Sequence, residues 1–167
     1  MHKGIHMKKS LLLIVALALA PIAMSAQQQK PVIVVEMFTA TSDVVWPYDM
    51  KQVQERTVAE FKVMLGKDFD IVAEAPTAPQ GTVYTLKTQV TAWKAGNLAT
   101  RMVVGLGAGR ESADIKYQVT DGSGKKVIER KDTIRTNFYS QGGDSSGTLA
   151  HPLAQKIAQR IKDAKLK

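Results

Sequence analysis

A chain of 167 residues with no cysteine and a formal net charge of +8 excludes several kinds of protein at once. No disulfide framework can form, so an apolar core must hold the fold, and with His151 the one histidine beyond the N-terminal leader a Cys/His metal centre is not expected. The basic residues are scattered rather than gathered in a stripe with interleaved aromatics, which argues against nucleic acid as a partner.

The N-terminus reads as a targeting segment. Lys8-Lys9 is a basic start, Leu11 to Ala23 is apolar apart from Pro21, and the small residues Ser25 and Ala26 follow. The apolar run falls short of the ~20 residues that span a bilayer. A signal peptide is therefore expected over 1–26, cut after Ser25 or Ala26, with a single mature periplasmic domain over 27–167. No cysteine follows the cut, so no lipid anchor is expected there and the mature protein should be soluble. Losing Lys3, Lys8 and Lys9 with the leader lowers the charge by three.

Pro31 to Phe38 predicts a strand apolar on both faces, and such strands belong inside a sheet. Thr39 to Tyr48 is read as a loop that carries Trp46 and Pro47. Asp49 predicts an N-cap for a helix over Met50 to Leu65, stopped by Gly66. Its apolar stripe is Val53, Thr57, Phe61, Met64 and Leu65. Phe69 to Ala73 follows as a strand, and the strand–helix–strand order predicts parallel pairing of the two strands. Thr82 to Ala92 predicts a long strand with Tyr84, Leu86, Val90 and Ala92 inward. Its wet outer face predicts antiparallel pairing. Trp93 to Thr100 is a polar connection.

Arg101 to Arg110 holds three glycines. Glu111 to Thr120 alternates cleanly, with Ala113, Ile115, Tyr117 and Val119 inward. Asp121 to Gly124 is a hairpin loop, and Lys125 to Arg135 returns as a charged edge strand. Thr136 to Gly147 is polar and glycine-rich. From Thr148 a second amphipathic helix buries Leu149, Leu153, Ile157 and Ile161, with Pro152 in its first turn. The expected fold is α+β: a mixed, mostly antiparallel sheet of about five strands with two amphipathic helices packed on one face.

No residue set carries catalytic chemistry. Gly105-Leu106-Gly107-Ala108-Gly109-Arg110 is not a dinucleotide fingerprint, because the glycine spacing is wrong and a strand, not a helix, follows. Its glycines permit either a bulge or close strand contact, or a partner-docking ribbon. Arg110 could hold an anion or form a salt bridge at the sheet end. Trp46 caps the core or makes an exposed contact. His151 opens a helix with no nucleophile motif before it and reads as a surface residue. Gly105 to Arg110 and Trp46 are the candidate binding residues, with no catalytic residue, no metal and no cofactor. An envelope enzyme or small-ligand-binding protein using Glu36, Asp43 or His151 in a cleft, and a structural homo-oligomer, are the alternatives.

The segments Val-Ile-Val-Val-Glu-Met-Phe-Thr, Leu-Gly-Lys-Asp-Phe-Asp-Ile-Val-Ala, Arg-Met-Val-Val-Gly-Leu-Gly-Ala-Gly-Arg and Tyr-Gln-Val-Thr-Asp-Gly-Ser-Gly, with the closing helix, resemble the domain-of-unknown-function 4410 family of exported bacterial proteins. Many of those relatives look like lipoproteins, and this chain departs from them in lacking the cysteine. More distantly, the element order is similar to periplasmic domains of the curli secretion channel subunit, the penicillin-binding-protein activator lipoproteins and the N-terminal domain of TolB. The resemblance implies binding or assembly in the envelope, with another envelope protein or the chain itself as partner, and brings no catalytic residues with it.

Overall fold

The structure, a computed structural model, describes residues 29–78, 81–97, 109–136 and 145–166, with the backbone alone for 145–148. The expected signal peptide and its cleavage site lie outside the described residues. The elements run β1 (Val32–Val35), β2 (Thr39–Ala40), α1 (Met50–Leu65), β3 (Asp70–Val72), β4 (Val83–Lys94), β5 (Ser112–Thr120), β6 (Lys126–Arg135) and α2 (Ser145–Asp163). The strand order is β3-β1-β4-β5-β6, with the short β2 alongside β4.

The α+β architecture matches the expectation. β1 lies between β3 and β4, which is why its residues are apolar on both faces: Ile33, Val34 and Val35 are all buried. β1 and β3 pair in parallel around α1, Ile33 opposite Ile71. β4 pairs antiparallel with β5, as its one wet face suggests, but parallel with β1 on its other side. α1 packs on β1 and β3, α2 packs on β6, and the two helices pack on each other over the same face of the sheet. Between them and the sheet lie Phe38, Phe61, Leu65, Leu86, Ile115, Leu149, Leu153, Ile157 and Ile161, all buried. Each fully buried aliphatic side chain of this kind contributes about 1.5–3 kcal/mol.

Four local features differ from the expectation. The first strand ends at Val35 rather than Phe38; the chain breaks there, drops Phe38 into the core, turns Met37 outward and rejoins β4 as β2. β4 runs to Lys94 and carries a bulge: Val90 faces Ile115, but Ala92 faces Asp114, so Thr91 is an extra residue. A bulge reverses the inward–outward phase. Ala92, expected inward, is exposed, and Trp93 falls on the inner face opposite Ala113. Gly66 ends α1 with φ −63°, in the right-handed region, and its carbonyl accepts from Lys30 Nζ at 2.8 Å. α2 begins at Ser145, so Pro152 lies inside the helix rather than in its first turn. The N-cap holds as expected: Asp49 Oδ1 accepts from the amides of Lys51 (2.7 Å) and Gln52 (3.1 Å).

Candidate functional site

At one end of the sheet, three segments meet on a single carboxylate. Glu111 immediately precedes β5 and is only 8% exposed. Its Oε1 accepts hydrogen bonds from the Tyr48 hydroxyl and from Trp93 Nε1, the latter at 2.9 Å. Tyr48 comes from the loop before α1, and the Thr91 bulge turns Trp93 to this side. Trp46 packs edge-on against Tyr48, ring centroids 5.0 Å apart. The Glu111 carbonyl accepts from the Thr136 amide at 3.0 Å, which fastens the start of β5 to the end of β6.

The exit of the glycine segment enters the same place. Gly109 has φ +68°, a left-handed conformation that glycine adopts without strain, and its carbonyl accepts from the Asn97 amide at 2.7 Å. Arg110 is half-buried beside Glu111. Two candidate binding elements that are 63 or more residues apart in sequence, Trp46 and Gly109–Arg110, are thus brought to one end of the sheet through Tyr48 and Glu111. Gly105, Leu106, Gly107 and Ala108 lie outside the described residues. Trp46 is partly buried against the core, but its indole nitrogen is enclosed without a hydrogen-bond partner. Next to it, Val45 stands 84% exposed. A cleft of 360 Å³ lined by Asp43, Val44, Val45, Thr91, Ala92 and Trp93 opens beside the loop.

Tyr48, Trp93 and Glu111 were not among the residues singled out from sequence. One signal was present. In the alternation of β5, position 111 falls in phase with Ala113, Ile115, Tyr117 and Val119, so an acid there must enter the inner layer. Trp93 gave no such signal, because the bulge that turns it inward has no sequence mark.

A second polar cluster ties α2 to the edge strand. The Tyr117 hydroxyl donates to Asp132 Oδ2 at 2.8 Å, and Lys156 Nζ and Arg160 Nη2 lie 3.7 and 3.6 Å from Asp132 Oδ1. Burial first, and then the neighbouring Asp132 carboxylate, push the Tyr117 phenol well above its ordinary range. His151 Nδ1 lies 2.9 Å from Glu60 Oε2 on α1, so it links the two helices. Glu36 lies on the opposite face of the sheet, 3.3 Å from Lys87, and Asp43 lines the cleft beside Trp93. The acids and base considered for catalysis therefore occupy three separate places. Among the described residues no group of three or more His, Asp or Glu could hold a metal, and no helix is long and apolar enough to cross a membrane.

Residues 33–137 match the family described as a domain of unknown function, DUF4410, and the chain belongs to that family. No curated protein matches it. Among solved structures, it is similar to the hypothetical protein CT253 from Chlamydia trachomatis, at 11% identity and a TM-score of 0.50 over 81% of this chain and 95% of that one. It is also similar to PelC from Paraburkholderia phytofirmans, a dodecamer, at 17% identity and a TM-score of 0.49 over 77% and 85%. Protein XCC0632 from Xanthomonas campestris, of family DUF330, is similar at 10% identity and a TM-score of 0.44 over 79% and 81%. At these identities the likenesses concern the fold alone.

Proposed function

We propose that this protein is a non-enzymatic binding or assembly module of the bacterial cell envelope, exported to the periplasm, and that it engages a partner protein through the loop around Trp46 together with the Gly109–Arg110 end of the glycine segment. The observation that carries the reading is the Glu111 node, which joins these two segments into one surface beside an open cleft. Among the described residues its carboxylate accepts from two aromatic donors. That arrangement positions a surface and does not prepare an acid for proton transfer. Val45, exposed at the loop tip beside Val44, Ala92 and Trp93 of the cleft wall, offers an apolar anchor. His151 is engaged by Glu60, which supports a structural role for it. The likeness in element order to periplasmic domains of the curli secretion channel, the penicillin-binding-protein activators and TolB belongs to the same reading.

The test is photo-crosslinking in the native host, with a crosslinking amino acid at position 47 beside Trp46, combined with cell fractionation. The reading expects the chain in the periplasmic fraction and one envelope protein captured in high yield. It also expects capture to fall when Glu111→Ala loosens the node. Adducts to the chain alone would identify the partner as a second copy. A folded periplasmic chain that captures nothing at positions 47 and 110 would refute the surface, and a cytoplasmic chain would refute the compartment.

A further inference from the structure

On the face of the sheet away from the helices, the break between β1 and β2 leaves a recess of 190 Å³ lined by Glu36, Met37, Thr39, Lys87, Gln89, Lys116 and Gln118, among others. That is smaller than the roughly 300–1,000 Å³ of sites for drug-sized ligands, and it suits one ring-sized polar group. We propose that this recess binds an acidic sugar unit of a glycan.

The arrangement comes from the register. Lys87 faces Gln118 and Gln89 faces Lys116, so ammonium and amide groups alternate on a two-by-two grid across β4 and β5. Ammonium groups suit a carboxylate, and amides both donate to and accept from hydroxyls. Met37, turned outward by the strand break and 48% exposed, supplies an apolar wall for the C–H face of a ring.

The charge balance favours an anion. Glu36 is matched by Lys87 at 3.3 Å, which leaves its second oxygen to accept from hydroxyls. Glu129 lies 3.0 Å from Lys126 and 4.0 Å from Lys116, so its charge is engaged mainly by Lys126. Lys116 sits directly opposite Lys131 on β6. Like charges facing each other across strands are unfavourable. A carboxylate bound beside Lys116 offsets that repulsion. No arginine fork lines the recess, so the selectivity of a phosphate clamp is missing.

The experiment follows backbone amide shifts of the purified protein while trigalacturonic acid, maltotriose, inorganic phosphate or vesicles of phosphatidylglycerol and phosphatidylethanolamine are added. Trigalacturonic acid should shift Lys87, Gln89, Lys116 and Gln118. Lys116→Glu should weaken it at least tenfold, and Gln118→Ala severalfold, with the melting temperature unchanged in both. Lys116 is exposed, and the glutamine variant gives a second reading should Lys116→Glu lose its fold. Equal binding of maltotriose, equal binding of phosphate, Lys116-dependent binding of the vesicles, or no shift in the recess would each overturn the assignment. Because the recess shares no lining residue with the cleft beside Trp46, either site can fail without the other.

Discussion

Replacing Glu111 by alanine tests the node at the sheet end most directly. The side chain is 8% exposed and, among the described residues, accepts hydrogen bonds from the neutral donors Tyr48 and Trp93. A hydrogen bond to a charged acceptor contributes about 1.5–3 kcal/mol. Tyr48 and Trp93 are only partly buried, so water reaches both donors once the carboxylate is gone, and the lower end applies to each. Removing a carboxylate from a buried position also returns some desolvation cost. Glu111→Ala should therefore destabilise the protein by about 2–3 kcal/mol, a large part of the roughly 5–15 kcal/mol a domain has. Glu111→Gln keeps an acceptor of the same shape and should cost about 1 kcal/mol. Tyr48→Phe and Trp93→Phe act on one shared oxygen, so their effects should not add. Urea unfolding is a suitable assay, because the two tryptophans of the chain, Trp46 and Trp93, both sit at the node and report it by fluorescence. Circular dichroism follows the whole fold in parallel. The Glu111→Ala midpoint should fall by roughly 1 M or more. A change within about 0.5 kcal/mol, the range of ordinary surface substitutions, would refute the reasoning.

Asp49→Ala removes the acceptor for two amides at the start of α1 and should cost about 1 kcal/mol, with Asp49→Ser largely restoring it; equal stability of all three proteins in urea would show that the cap is idle. Tyr117 gives a pH dependence of definite sign. Its protonated form is favoured in the folded state, so as pH rises past the unfolded value near 10 the unfolded chain loses its proton while the folded chain keeps it. Stability should fall through that range, and Tyr117→Phe should flatten the fall; an unchanged slope would remove Tyr117 as its source.

The α1 cap, both amphipathic helices, the central place of β1 and the hairpin at Asp121 were legible because each rests on local chemistry. The hairpin is an example: Asp121 Oδ1 accepts from Ser123 Oγ at 2.6 Å and from the amides of Ser123 and Lys125. What sequence could not supply was any feature set by phase or by contact at a distance. Without the Thr91 bulge, Trp93 would face outward and could not reach Glu111. Gln54 stands outside the apolar stripe expected for α1, yet it is buried and its amide donates to the Val35 carbonyl at 2.7 Å, at the end of β1. Asp132 lies on the inner phase of β6 between Ile128 and Ile134, and the cost of placing it there is offset by Tyr117, Lys156 and Arg160, which come from other elements. Of the candidate binding residues, Trp46, Gly109 and Arg110 converge, through Tyr48 and Glu111, which the sequence reading did not select.

The two edges of the sheet are unequal in a way that governs how copies of this chain could stack. β3 offers three residues, β6 offers ten, and among the described residues neither outer edge is paired. Growth of the sheet by another molecule has only one side long enough to use. If β6 met β6, each molecule would consume the other's usable edge, and the pair would be closed by a two-fold axis. The opposite edge offers three residues, a short pairing next to the ten of β6, so growth into an open fibre is disfavoured.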